Sequence, residues 1–154
     1  MKLYLVQHGD ALSKEIDPER PLSEKGQHDV QKTANFLMQA GVRVQSVLHS
    51  GKTRAQQTAV TLARAVMPDG KVETVGGIAP NDDVVAFAAT LGSVVEDTFV
   101  VGHLPFMGRL VAYLLVGGVD REVVSYQPGS VVCLERTESA TWHLNWMLRP
   151  ELLG

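Results

Sequence analysis

Short apolar runs alternate with amphipathic segments along most of this 154-residue chain. The runs typical of strands lie at 3–6, 44–48, 72–75, 99–101, 131–134 and 142–148. Between the earlier runs, apolar residues recur at helical spacing over 24–40, 52–66, 84–91 and 107–114. Because strands that alternate with helices usually form a sheet covered by those helices, the pattern predicts an α/β sandwich with a mainly parallel sheet. We expect a single domain over residues 1–154.

Individual residues predict where some of these elements begin and end. Ser23 can cap the helix at 24–40, and Gly41 is expected to end it. The last strand alternates as a half-covered strand would. Its predicted covered face consists of Trp142, Leu144, Trp146 and Leu148.

Composition narrows the class of protein. The chain is 45% apolar and 20% charged, as in ordinary globular proteins. Its net charge of −3 gives no sign of the basic surface with which proteins bind nucleic acid. The one cysteine, Cys133, excludes an intramolecular disulfide and is interpreted as a buried strand residue. No apolar run approaches the ~20 residues of a membrane span, and no signal-peptide pattern is present. These features predict a soluble, cytoplasmic protein without nucleic-acid or membrane partners.

Polar residues follow three of the predicted strands at the same offset. His8, Ser50 and His103 each lie two residues beyond an apolar run. Ligands of α/β sheets gather outside the carboxyl ends of the strands, so these side chains are expected to share one rim. Arg54 lies in the first turn of the following helix, where free N–H groups also favour anions. Two imidazoles, a guanidinium and a helix N-terminus together predict a phosphate pocket.

Four collinear motifs carry a resemblance to a known family. They are His8-Gly9-Asp10-Ala11, Arg20-Pro21-Leu22-Ser23-Glu24-Lys25-Gly26, the stretch from Ser50 to Ala59 that contains Arg54, and Gly102-His103-Leu104-Pro105. In this order they resemble the histidine phosphatase superfamily, and within it the SixA-type phosphohistidine phosphatases of bacteria. The resemblance implies a minimal three-layer α/β/α sandwich of the phosphoglycerate mutase-like fold.

The resemblance also implies a two-step phosphoryl transfer without a metal or cofactor. His8 corresponds to the nucleophile that becomes transiently phosphorylated. Arg54 would clamp the phosphoryl oxygens, and His103, cationic beside the phosphoryl dianion, would stabilise charge in the transition state. Further phosphate or substrate contacts are expected from Gln7, Gly9, Arg20 and Ser50.

Gln7 is the departure from the family pattern, which usually has arginine directly before this histidine. Glutamine keeps an N–H donor but lacks the charge and the bidentate fork. Loss of one oxyanion donor can cost ~10²–10³ in rate. The sequence therefore leaves open a second function, a catalytically weak module that binds phosphoproteins.

The general acid is not fixed by the sequence. The stretch 76–80 supplies no carboxylate, and the nearby candidates are Asp10, Asp82 and Asp83, of which the last two are more easily interpreted as favouring a helix N-terminus. A protonated imidazole leaves readily without an acid, which favours phosphohistidine on a histidine phosphotransfer domain or a phosphocarrier as substrate. A phosphatase for small phosphomonoesters is the nearby alternative.

Other interpretations of these residues are less well supported. Either histidine alone would be interpreted as a structural residue at a strand end. The Gly51-Lys52-Thr53 segment has Ser46 where a phosphate-binding P-loop needs glycine, so we reject that interpretation. His8, Asp10 and His103 could bind a metal by residue type, but the chain supplies no closely spaced further ligands. We therefore expect no metal site.

Overall fold

The computed structural model describes residues 1–154, which form ten regular elements. The helices are α1 Glu24–Gln39, α2 Thr53–Val66, α3 Val84–Thr90 and α4 Phe106–Val116. The strands are β1 Lys2–Gln7, β2 Ser46–His49, β3 Glu73–Thr74, β4 Thr98–Gly102, β5 Val131–Arg136 and β6 Trp142–Leu148. Each predicted helix and strand is therefore present. The third strand is the shortest, because only two residues of this exposed edge pair with β2.

All six strands form one sheet in the order β3-β2-β4-β1-β5-β6. The first four strands of the chain run parallel, whereas β5 and β6 pair antiparallel. Helices α1 and α2 cover one face through a core that includes Leu37, Leu62 and Phe99. Helices α3 and α4 cover the other face, where Val100 and Leu110 are buried. The three-layer α/β/α sandwich with a mainly parallel sheet is confirmed.

Helix α1 begins directly after Ser23 and ends before Gly41, as the sequence predicted. Ser23 accepts a hydrogen bond from the Gly26 N–H, which satisfies one of the free donors of the first turn. Gly41 follows the last turn with φ +77°, a left-handed conformation that glycine adopts without steric cost. None of the helices is both long enough and apolar enough to cross a membrane.

The prediction that Trp142 and Leu144 share the covered face of β6 with Trp146 and Leu148 is wrong. A β-bulge leaves Asn145 without a partner in β5. Because one extra residue reverses the alternation of side chains, Trp146 and Leu148 pack on the α1/α2 face, whereas Trp142 packs on the α3/α4 face. Leu144 is 45% exposed. The regular period of two in the sequence contained no sign of this bulge.

Candidate active site

The topology of the sheet brings the predicted polar residues to one rim. Strand β4 lies between β2 and β1, and all three run in the same direction. His103 follows β4, His8 follows β1, and both Ser50 and Arg54 come from the connection between β2 and the first turn of α2. The His8 N–H donates to the Gly102 carbonyl over 3.0 Å, which extends the ladder between β1 and β4 to the site itself.

A cavity of about 380 Å³ opens at this rim. Six residues singled out in the sequence line it, namely Gln7, His8, Asp10, Arg20, Arg54 and His103. Its remaining lining consists of Ala11, Pro80, Leu104 and Pro128, none of which the sequence predicted as a site residue. Pro128 belongs to the turn before β5, which reaches the rim because β5 runs antiparallel to β1. Only that long-range pairing, which local patterns do not reveal, could have identified it.

The ring of His8 is held in one tautomer. Its Nδ1 lies 2.7 Å from the Gly9 carbonyl oxygen, and because a carbonyl only accepts, Nδ1 carries the hydrogen and Nε2 keeps its lone pair. Burial lowers the pKa of His8 from 6.5 to about 4, with a further lowering by the charges of Arg54 and Arg20, although the Gly9 carbonyl and Asp10 act in the opposite direction. The ring is therefore neutral near neutral pH.

His103 lies beside His8, with 5.0 Å between the ring centroids. Its Nε2 lies 2.6 Å from the Ser50 hydroxyl oxygen, while its Nδ1 is buried without a hydrogen-bond partner. Burial lowers the pKa of His103 to about 3, and repulsion from His8, when that ring is protonated, and from the charges of Arg54 and Lys52 lowers it further. The cationic state expected from the sequence therefore requires the negative charge of a bound anion to offset this environment.

Two guanidinium groups at the cavity have no carboxylate partner. Arg54 and Arg20 take part in none of the salt bridges, and the Arg54 Nε is buried without a hydrogen-bond partner. Burial, and then the charge of Arg20, lower the pKa of Arg54, yet a guanidinium stays protonated at neutral pH. Arg20 has φ +48°, and its Nε donates to the Leu12 carbonyl over 2.9 Å. Two partly buried cations without counterions favour an anionic ligand.

Gln7 lies where the resemblance leads one to expect arginine. The residue is 8% exposed, and its side-chain Oε1 is buried without a partner. Its backbone is fixed by the turn before β5, because its N–H donates to the Ser130 carbonyl and its carbonyl accepts from the Gly129 N–H. The protein itself therefore offers no hydrogen-bond donor to the oxygen of this amide.

Gly9 and Ser50 lie beside the cavity and not in its lining. A Cβ on Gly9 would lie 2.7 Å from the Val30 side chain, so this glycine allows close packing against α1. Gly26, the last residue of the motif that starts at Arg20, allows close packing from the side of α1, since a Cβ there would lie 2.0 Å from the Asp10 carbonyl oxygen. Ser50 contacts the ring of His103 and so lies behind the cavity.

The three candidate acids differ in their positions. The Asp10 carboxylate lines the cavity and accepts a 2.6 Å hydrogen bond from the Ser23 hydroxyl. Asp82 accepts from the Ala79 N–H, and Asp83 caps α3, as the charge pattern predicted. Neither of these two lines the cavity. Nowhere in residues 1–154 do three His, Cys, Asp or Glu side chains come close enough to hold one metal ion.

The two lowered histidine pKa values predict how stability depends on pH. Unfolded histidines take up protons below about pH 6.5, whereas native His8 and His103 stay neutral until about pH 4 and 3. Because the unfolded state binds more protons in this window, stability is lost as the pH falls from about 6.5 towards 4. Together the two rings contribute a slope on the order of 2–3 kcal/mol per pH unit.

Urea unfolding from pH 7 to pH 4 measures this slope. The double variant His8→Asn/His103→Asn should have a flatter slope, and the control His28→Asn/His143→Asn, which changes two exposed histidines, should follow the wild type. An unchanged slope in the first variant would contradict the assigned protonation states.

Comparison with known proteins agrees with this geometry. The chain is 28% identical to the phosphohistidine phosphatase SixA of Escherichia coli (strain K12), over 97% of this chain and 94% of that protein. It is 33% identical to an uncharacterized protein of Picosynechococcus, over 76% of this chain and 74% of the relative. The solved structure of the protein histidine phosphatase SixA complexed with tungstate superposes with a TM-score of 0.86 and 28% identity, covering 100% of both chains.

No protein-family model matches the chain. Its relatives, its three-layer fold and the motifs gathered at one rim nevertheless agree with each other. The chain belongs to the histidine phosphatase superfamily, in which it is a homologue of SixA.

Proposed function

We propose that the protein is a metal-independent phosphatase that acts through a phosphohistidine intermediate on His8. The observation that carries the proposal is the fixed ring of His8, whose Nε2 lone pair is free at a cavity that also contains two guanidinium groups without counterions. A neutral imidazole is nucleophilic, and the cations complement the charge of a phosphoryl group.

The reaction would take place in two displacements. In the first, the His8 Nε2 lone pair forms a bond to phosphorus while the bond from phosphorus to the leaving group breaks and its electron pair departs with that group. Arg54 and Arg20 would bind the phosphoryl oxygens, and His103, held by Ser50, would donate from a ring nitrogen once the anion offsets its low pKa. In the second, a water oxygen forms a bond to phosphorus and loses a proton to solvent, while the bond from phosphorus to the His8 Nε2 breaks and its electron pair returns to Nε2. This releases phosphate and neutral His8.

The position of the acids favours phosphohistidine as the substrate. Only Asp10 lines the cavity, and its carboxylate is already bonded to Ser23. An alkyl phosphate needs a proton donor for its departing alkoxide, whereas a protonated imidazole departs as a neutral ring. A phosphohistidine substrate therefore does not require a proton-donating carboxyl group in this site. The similarity to SixA supports the same substrate.

A groove next to the cavity favours a substrate of protein size. Leu104 is 39% exposed and lines both the cavity and a groove of about 350 Å³. The groove also carries exposed charges of both signs that form no salt bridges, on Arg109, Asp120, Arg121 and Glu122. We therefore propose a phosphorylated histidine phosphotransfer domain or phosphocarrier as the partner, in the cytoplasm, with its surface against this groove.

A comparison of substrates tests this proposal. With Arg109→Ala/Arg121→Ala, we expect kcat/KM for a phosphorylated phosphotransfer domain to fall by about tenfold, since rim charges mainly affect association. Turnover of free phosphohistidine and of an aryl phosphate should stay within about twofold of wild type, because the phosphoryl cavity is intact. Arg64→Ala, an exposed change on α2, is the control.

Equal losses on all three substrates would contradict a role for the groove. A preference of the wild type for the aryl phosphate would favour the small-molecule phosphomonoesterase instead. EDTA should leave turnover unchanged, and loss of activity in EDTA would overturn the metal-independent mechanism.

The second candidate function is a phosphoprotein-binding module with little catalysis. Gln7 favours it, because the expected charge is missing next to His8 and a buried acceptor is left unpaired. This candidate predicts that tungstate or phosphate binds with measurable affinity while the turnover of every substrate stays near background.

A further inference from the structure

One buried hydroxyl connects the segment that contains His8 to the helix that contains Arg54. Thr58 on α2 has no exposed surface. Its Oγ1 donates to the Arg54 carbonyl over 2.8 Å and accepts from the Gly9 N–H over 3.0 Å. A helical threonine commonly donates to the carbonyl four residues earlier. The bond to Gly9, a residue 49 positions away, is not part of that local pattern.

We infer that Thr58 is a positioning residue that sets the orientation of His8 relative to Arg54. The path runs through Gly9, whose N–H is bonded to Thr58 and whose carbonyl accepts the hydrogen of the His8 Nδ1. At its other end, the same hydroxyl is bonded to the backbone of Arg54. The inference rests on the proposed function, because it assigns Thr58 a role only if His8 and Arg54 act on one phosphoryl group.

Gly9 has little freedom to find another arrangement. A Cβ at this position would lie 2.7 Å from the Val30 side chain and 3.2 Å from the Gly26 carbonyl oxygen, so its backbone lies directly against α1. If the Thr58 hydroxyl is removed, the buried Gly9 N–H loses its acceptor, and the peptide must turn for that N–H to reach another acceptor. That turn also moves the carbonyl that fixes the tautomer of His8.

Two substitutions separate the hydroxyl from the shape of the side chain. Thr58→Val keeps the shape and removes both hydrogen bonds, whereas Thr58→Ser keeps the hydroxyl and loses only the methyl group. Thr33→Val is the matched control, since Thr33 is also a buried threonine on a helix, but its hydroxyl has no hydrogen-bond partner.

The first measurement is the tautomer of His8, obtained from two-bond ¹H–¹⁵N correlations of histidine-labelled protein. We expect the Nδ1–H form in the wild type, Thr58→Ser and Thr33→Val, and a mixture with the Nε2–H form in Thr58→Val. This readout does not depend on turnover, so it tests the positioning role even if the proposed activity is absent. A purely structural role would change stability and leave the tautomer as it is.

The second measurement determines kcat and KM separately for each variant. Because misplacement of a reacting group by about 1 Å can cost up to 10²-fold, we expect kcat to fall at least about tenfold in Thr58→Val and to recover in Thr58→Ser. The inference is overturned if folded Thr58→Val retains the wild-type tautomer, or if Thr58→Ser loses as much kcat as Thr58→Val. If Thr58→Val does not fold, Thr58→Ala is compared with Thr58→Ser in the same two measurements.

Discussion

His8→Ala is expected to reduce turnover of a phosphorylated substrate by a factor on the order of 10⁴ or more, as the loss of a covalent nucleophile does in other enzymes. The cause is the loss of the Nε2 lone pair, for which the site offers no substitute. His103 is the only other imidazole at the cavity, and its Nε2 is bonded to Ser50. Initial rates with a phosphorylated phosphotransfer domain measure the effect.

His28→Ala is the matched control, because His28 is an exposed histidine on α1 and should leave the rate unchanged. Tungstate should still bind to His8→Ala, since Arg54 and Arg20 remain. Rapid quenching of the wild type should reveal an acid-labile, base-stable phosphoryl group on His8. Normal turnover by His8→Ala, or a label on another residue, would show that the proposed mechanism is wrong.

Gln7→Arg is expected to raise kcat/KM by about 10–10²-fold, part of the ~10²–10³ that one oxyanion donor can contribute. Arginine restores a charge and a bidentate fork at the edge of the cavity, and it removes the buried Oε1 that has no partner. Affinity for tungstate should rise with the rate. Steady-state kinetics and titration calorimetry with tungstate measure the two effects.

Gln7→Met is the matched control, because it fills similar space without a donor or a charge, and it should lose both rate and affinity. If the wild type turns over only at background rate and Gln7→Arg raises that rate, the result would support phosphoprotein binding as the present function. If Gln7→Arg stays within twofold of the wild type in both rate and affinity, the expected gain is wrong and the pocket is already adapted to glutamine.

The rim of the site could be predicted from the sequence because it depends on local patterns. Apolar runs identified β1, β2 and β4, and parallel strands bring residues at equal offsets to the same edge. His8, Arg54 and His103 therefore came together as expected.

Long-range pairing and packing account for what could not be predicted. The bulge at Asn145 depends on the register of β5 against β6, and Pro128 reaches the cavity only through the antiparallel pairing of β5 with β1. The bond from Thr58 to Gly9 joins residues 49 positions apart. No periodicity in the sequence encodes such contacts.

The order of the strands has a consequence for how the site works. Strands β1 and β4, which lie directly before the two histidines in the chain, each have a hydrogen-bonded neighbour on both sides. To shift the backbone that leads into either histidine, the molecule would have to break ladders on two flanks of its core, so the points from which the two side chains extend are as rigid as the sheet itself. Rate enhancement here therefore depends on a reaction geometry that exists before the substrate arrives, and only the surface loops are left to adapt to a partner.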